Sequence, residues 1–295
     1  MQVRPPLRSR HAEGIDRALA HLSRALAAGG EVPDLAELAA VAHFSPFHFH
    51  RVYRALTGET VGRSVARLRL LRALQALDAD GSDLAQVSLQ AGYASSQALA
   101  RAFREAFDAT PSALRADAGL RQHWIDRLAS PPGPPVAESP LQVRVVDLAT
   151  FEVVALRASG RFDDLDQSFG ALFRWASEAG RVDEATRLIG VPRNDLRDSA
   201  GESVEFDCAL HLSDRPAPPA PMRRLQIEGG PFAVLRHVGD YVGLEDATDL
   251  LLARWLDASG RALREAPLHY HYLDDPESVP APLLRADIHL PLAPD

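Results

Sequence analysis

The chain has one cysteine, Cys208, and no lysine in 295 residues. A single thiol cannot close an internal disulfide, so a reducing, cytoplasmic setting is expected. Every basic contact must come from arginine. No apolar run approaches the ~18 residues of a membrane span. The opening residues, MQVRPPLRSRHAEG, lack the apolar centre of a secretion signal. No membrane partner is expected.

Apolar residues make up 46% of the chain, which places it among globular proteins with room for two cores. Charge is unevenly spread. Residues 1–128 hold 16 arginines against 13 acidic residues, a net of +3, while residues 129–295 hold 16 against 27, a net of −11. Such asymmetry implies different partners for the two halves. The boundary is 129–140, ASPPGPPVAESP, where five prolines and a glycine exclude helix and central strand. It reads as a semi-rigid linker.

The first half reads helical throughout. Ile15, Leu19, Leu22 and Leu26 recur at helical spacing, and Val61–Leu77 reads as one long helix. Within this half the framework repeats at an interval of fifty. Ser45, Phe49, Arg51, Tyr53, Arg54 and Thr60 match Ser95, Leu99, Arg101, Phe103, Arg104 and Thr110. Each copy reads as a short helix, a tight turn and a second helix opened by a serine. A helix fits the major groove, where base edges are distinguishable. In Ser96–Phe107, Leu99, Ala102, Phe103 and Phe107 form an inner stripe, and Ser96, Gln97, Ala100, Arg101 and Arg104 lie outward or flank it. Arg101 suits guanine, Gln97 suits adenine and Arg104 suits a phosphate. In the first copy Phe47, His50 and Arg51 are expected to face out behind Ser45. This reading requires the guanidiniums of Arg51 and Arg101 both to reach the duplex.

The second half alternates strands with helices. Val143–Val146, Val153–Leu156, Val204–Leu212, Arg224–Ile227, Phe232–Val238 and Leu284–Leu290 read as strands. Leu165–Ala179 and Leu244–Ala258 read as helices. Phe151 and Val153 return as Phe232 and Val234, and Arg174-Trp175 with Gly180-Arg181 returns as Arg254-Trp255 with Gly260-Arg261. Two related β–α units are expected, enclosing either a ligand cleft or a symmetric core.

Residues 11–118 resemble the DNA-binding domain of the AraC/XylS family. The resemblance rests on Gly92-Tyr93, Ser95, Arg101, Phe103, Thr110-Pro111 and Arg115. It implies a seven-helix domain with paired helix-turn-helix units that activates transcription through RNA polymerase. Ser88, Leu99 and Asp108 depart from the family's usual alanine, phenylalanine and glycine. Residues 141–292 resemble the GyrI-like effector-binding domain. That resemblance rests on Gly229-Gly230-Pro231-Phe232-Ala233-Val234, His237, Gly239, Tyr241, Trp255, Tyr272-Leu273, Asp275-Pro276, Asp287-Ile288 and Pro291-Leu292. It implies a cleft for bulky, often cationic, aromatic compounds, with Trp175, Tyr241, Trp255 and Tyr270 as candidate lining. Relatives often place a glutamate where Tyr270 stands, so Glu205 or Asp207 is the candidate anion.

His269 and His271 share a strand face opposite Tyr270 and Tyr272. With no third ligand legible beside them, no metal and no cofactor are expected. Cys208 reads as a core residue.

The expected architecture is multidomain. An all-α tandem helix-turn-helix domain (8–128) is followed by a linker (129–140) and an α+β domain of two related β–α units (141–295). The expected function is a DNA-binding regulator, a monomer or weak dimer and not an enzyme, whose partners are double-stranded DNA, a small-molecule effector and RNA polymerase. Two alternatives stay open: a constitutive DNA-binding protein whose second domain takes a protein partner, and a fused hydrolase.

Overall fold

The structure, a computed structural model, describes residues 10–29, 31–77, 83–135, 140–160, 165–193, 204–213 and 217–294. It divides into two units, Met1–Pro134 and Pro135–Asp295.

The described part of the first unit holds eight helices: α1 (Arg10–Ala27), α2 (Leu35–Ala42), α3 (Pro46–Thr57), α4 (Val61–Ala76), α5 (Leu84–Gln90), α6 (Ser96–Phe107), α7 (Pro111–Ala116) and α8 (Ala118–Leu128). The fifty-residue repeat is visible in their ends. Asp34 accepts from Glu37 N at 2.8 Å and Asp83 from Ala85 N at 3.3 Å, capping the first helix of each copy. Thr60 accepts from Arg63 N at 3.3 Å and Thr110 from Ala113 N at 3.2 Å, starting the helix after each reading helix. Gly58 and Asp108 end α3 and α6 in the left-handed region, at φ 75° and 51°. Aspartate is among the few residues that tolerate this conformation. The eighth helix exceeds the seven that the resemblance implied. Asp117 breaks the run with an extended ψ of 91°, and its side chain then accepts from Leu120 N at 2.9 Å to open α8.

The second copy stands on a core of Leu74, Leu77, Val87, Leu99, Phe103, Phe107 and Leu114. Phe107 lies between Phe103 and Trp124, with ring centroids 5.1 and 4.9 Å away. The expected linker is only partly a linker. Gly133 N donates to Thr57 O at 2.8 Å, so the chain through Pro134 belongs to the first unit. Residues 136–139 lie outside the described residues.

The second unit is one antiparallel sheet. Its strands are β1 (Val143–Leu148), β2 (Phe151–Gly160), β3 (Ala185–Pro192), β4 (Val204–Leu212), β5 (Arg223–Ile227), β6 (Gly230–Val238), β7 (His269–Tyr272) and β8 (Arg285–Pro291), in the order β1-β6-β8-β7-β3-β4-β2-β5. The order is symmetric about the β7–β3 pair, so β6 corresponds to β2 and β8 to β4. This matches the eighty-residue repeat: Phe151 and Val153 sit on β2, Phe232 and Val234 on β6. In register, Arg157 on β2 faces Asp207 on β4, and Arg236 on β6 faces Asp287 on β8. Both cross-strand pairs are hydrogen-bonded ion pairs.

Helix α9 (Leu165–Glu178) follows β2. Helix α10 (Leu244–Leu250) follows β6 and runs on as a π-helical stretch, Leu251–Leu256, and α11 (Asp257–Ser259). Both α9 and α10 cover the face on which Cys208, Gly190 and Tyr270 lie side by side in register. The opposite face carries a core of Val153, Ala155, Ile189, Val191, Ala209 and Ile227. On that face Phe151 of β2 lies 6.2 Å from His271 of β7, ring to ring. A flat sheet would hold strands three places apart at about 14 Å, so the sheet curls over.

Candidate DNA-reading face and effector site

Helix α6 carries the face that the sequence describes. Leu99, Phe103 and Phe107 are buried, while Gln97, Arg101 and Arg104 are exposed and Ser96 and Ala100 are half-buried between. The helix is opened by Ser95, whose hydroxyl accepts from Ala98 N at 3.2 Å. Arg104 folds back along its own helix, its Nε donating to Ala100 O at 3.2 Å. Arg101 and Gln97 are therefore the outward polar groups able to meet base edges, and the N-terminal end of α6 is the end that offers them.

Helix α3 differs, and the expectation for Arg51 is corrected. Arg51 is 3% exposed. The flank holding His48, Arg51 and Ala55 is covered, whereas on the matching flank of α6 Arg101 and Glu105 are exposed and Ala98 is half-buried. A helix with both Phe49–Tyr53 and this second flank buried has only a narrow side left to present. His50 is half-buried there. Ser45 precedes α3 in extended conformation, yet its hydroxyl makes no capping bond among the described residues. The side chain of Phe47 lies outside the described residues. Arg101 is open to solvent and Arg51 is not, so the expectation that both guanidiniums reach a duplex is not met.

The first copy instead has a polar hub that sequence reasoning missed. Tyr53 Oη donates to Ser64 Oγ at 2.6 Å, and Ser64 Oγ donates to Glu59 Oε1 at 2.6 Å. Arg67 Nε donates to Glu59 Oε1 at 2.9 Å, and Arg67 Nη1 reaches Leu128 O at 2.7 Å. The hub ties α3, α4 and the end of α8 together. Burial above all pushes the Tyr53 phenol up to about 12. The second copy has Ala109 where the first has Glu59, so the repeat gave no hint of it.

In the second unit, Tyr270 is 2% exposed in the middle of β7. Its hydroxyl donates to Glu245 Oε1 of α10 at 2.9 Å and lies 3.3 Å from Thr248 Oγ1. Next along the strand, the Tyr272 ring lies 4.8 Å from Tyr241 and 5.6 Å from Phe169 of α9. Tyr241 Oη is fixed by Asp274 O at 2.7 Å. Phe206 and Tyr272 close over Gly190, where a Cβ would sit 2.5 Å from the Phe206 ring and 2.9 Å from Tyr272 Oη. The result is three tyrosines, two phenylalanines and a buried carboxylate on the helix-covered face.

The candidate anions are corrected. Asp207 and Glu205 alternate with Cys208 on β4 and so point to the opposite face from Tyr270. Asp207 is 0% exposed and held by Arg157 Nε at 2.5 Å, Arg193 Nε at 2.7 Å and Arg223 Nη2 at 2.7 Å. Burial acts to raise its carboxyl, but the arginines prevail and hold it below the ordinary range. Glu205 pairs with Arg157 at 3.2 Å and is exposed. Glu245, unread in the sequence, supplies the carboxylate at Tyr270. Trp175 and Trp255 are half-buried. Trp175 lies on α9 and Trp255 on the π-helical stretch that continues α10.

The other face of β7 corrects the expectation of no third imidazole. His289 of β8 is the register partner of His269, and the rings of His269, His271 and His289 stack together. Cys208 is buried beneath α9, its Sγ 3.8 Å from Leu165 O, and burial pushes the thiol far up. No helix among the described residues is long and apolar enough to cross a membrane.

Comparison with known proteins agrees with this arrangement. Residues 141–293 match the GyrI-like small molecule binding domain, and residues 38–117 match a helix-turn-helix domain. YgiV of Escherichia coli K12, a probable transcriptional regulator, is 29% identical over 52% of this chain and 97% of its own. SoxS of Salmonella typhimurium, a regulatory protein, is 33% identical over 24% of this chain and 67% of its own. Among solved structures, the EcmrR-DNA complex in EcmrR-RPo covers 52% of this chain and 58% of that chain at a TM-score of 0.45 and 14% identity. With an AraC-type helix-turn-helix domain ahead of it, the chain belongs to the GyrI-like small molecule binding family and is a DNA-binding transcriptional regulator.

Proposed function

We propose that the regulator reads DNA chiefly through α6, and that the face between α9, α10 and β7 binds a bulky aromatic cation that alters its action at a promoter. The observation that carries the first part is the exposure of Gln97 and Arg101 opposite the buried Leu99 and Phe103. For the second part, aromatic faces attract cations and a carboxylate neutralises them. Tyr270, Tyr272, Tyr241 and Phe169 supply the faces, and Glu245 supplies the charge.

The proposal includes activation through contact with RNA polymerase. It also assigns binding rather than turnover to the second unit. The thiol of Cys208 is buried and held protonated, and the hydroxyl beside the Tyr270–Glu245 pair, Thr248 Oγ1, donates to Leu244 O of its own helix at 2.7 Å. An effector acts only through a difference in affinity between two states of the protein.

The test is selection of bound sequences from random DNA by the full chain, with and without a panel of aromatic cations and neutral analogues of equal size. A recovered motif whose affinity shifts with the cations alone supports the reading. Failure to recover a motif overturns the DNA part. Equal response to cations and neutral analogues overturns the role of Glu245.

A further inference from the structure

Three imidazoles meet on the curled face of the sheet, away from the effector site. His269 and His271 stand at alternate positions of β7, and His289 stands on β8 opposite His269. They are 1%, 8% and 5% exposed. Each offers one ring nitrogen, and these three nitrogens lie within 4.8 Å of one another. His289 Nδ1 lies 3.2 Å from Asp287 O. Nε2 of His269 and Nε2 of His271 are buried and meet no hydrogen-bond partner among the described residues. A buried donor or acceptor left unmatched is a standing cost to the fold, rarely kept without a use.

We propose that His269, His271 and His289 form a binding site for one divalent transition-metal ion of the zinc class.

The donor chemistry fits. Imidazole nitrogen suits Zn²⁺, Co²⁺ and Ni²⁺, and three such ligands leave a fourth position for water or an anion. At metal–nitrogen distances of about 2.0–2.1 Å, a tetrahedral ion holds its ligands about 3.3 Å apart. The rings need to close by at most about 1.5 Å, which rotation about the side-chain bonds supplies. Burial above all favours the neutral rings that a metal needs, although at His289 the neighbouring Asp287 acts against it.

The surroundings shape the fourth position. Phe151 and Phe232 flank the rings at 5.1–6.5 Å. The guanidinium of Arg187 lies over Phe151 and that of Arg264 over Phe232, at 5.4 and 5.2 Å. Arg144 lies 3.8 Å from Asp287, whose carboxylate Arg236 already engages. His211 is occupied by Thr186 Oγ1 at 2.6 Å. The site thus has neutral nitrogen ligands with arginines around them. That favours a small anion as the ion's remaining ligand.

The test uses the full-length, tag-free chain. Co²⁺ titration is expected to give one ion per chain with the intense visible bands of a low-coordinate site, and Zn²⁺ is expected to displace it. X-ray absorption of the zinc-loaded chain is expected to show three imidazole nitrogens. His271→Gln and His289→Gln are each expected to weaken binding by more than the ~10–100-fold that loss of an outer hydrogen-bond partner costs. His123→Gln, at an exposed position, leaves binding unchanged. Zinc affinity that is the same in all three variants assigns binding to surface histidines and overturns the proposal. Should the Gln variants fail to fold, absorption on the unaltered chain decides: three imidazoles sustain the site, and fewer sink it.

Discussion

The Tyr270 hydroxyl donates to Glu245 Oε1 across 2.9 Å, joining the centre of the sheet to the first turn of α10. This bond sets the carboxylate beside the aromatic group instead of on the strand itself. Glu245→Gln keeps the shape and removes the charge. It is expected to weaken aromatic cations by about tenfold or more, the ~1.5–3 kcal/mol of a charged hydrogen bond or ion contact, while sparing neutral analogues. Fluorescence titration with matched cation and neutral dyes checks it. Equal losses for both would refute the assignment.

The unequal burial of Arg51 and Arg101 separates their roles. Arg101→Ala is expected to cost specific DNA binding ~1–3 kcal/mol and to relax preference at one base pair. Arg51→Ala is expected to leave base preference intact and to lower stability. Arg104→Ala should weaken all sequences alike and reduce the salt slope by about one. Binding measured across salt and across single-base variants of the selected site distinguishes the three.

The Glu59–Arg67 pair is buried and shares its carboxylate with Ser64. Removing one partner of such a pair strands the other. Arg67→Met is therefore expected to destabilise the first unit by ~3–5 kcal/mol, read by urea unfolding. A change under 1 kcal/mol would show that the hub is not structural.

Tyr53 gives this hub a pH signature. The unfolded chain ionises tyrosine near 10, whereas the folded chain holds Tyr53 protonated up to about 12. Its contribution is complete below pH 10 and is lost as pH rises through the folded value, by roughly 2–3 kcal/mol. Tyr53→Phe should lose stability less steeply between about pH 10 and about pH 12 than the unaltered chain. Parallel slopes would contradict this.

Gly58 has φ 75°, and a Cβ there would sit 2.2 Å from Gly133 O. Gly58→Ala meets both backbone strain and that contact, so a loss of ~1–3 kcal/mol is expected. The segment Pro131–Pro134 should become easier to cleave by protease. Unchanged cleavage would place that segment's anchorage elsewhere than at Thr57.

Where local chemistry sets an element, the sequence was enough. Ser95, Thr110, Asp34 and Asp83 announce helix starts because a short polar side chain caps its own helix. The inner stripe of α6 follows from spacing alone. Helix α8 was missed because Asp117 divides two helices without glycine or proline. Strand β3 was missed because Ile189, Gly190, Val191 and Pro192 are covered on both sides and do not alternate. Glu245 and His289 were illegible for one shared reason: each acquires its partner from a distant segment, which no local pattern records. Glu59 was illegible because its partners Ser64 and Arg67 stand on the next helix, and the second copy has Ala109 in its place.

Strand β7 is four residues long and alternates imidazole with phenol, each type turned to its own side of the sheet. Sliding it one place against β3 and β8 would turn every side chain over. The tyrosines would then fall among the arginines, and the histidines beneath the helices. An insertion or deletion in this strand would therefore disable both proposed ligand sites together, whereas a point substitution would silence only one.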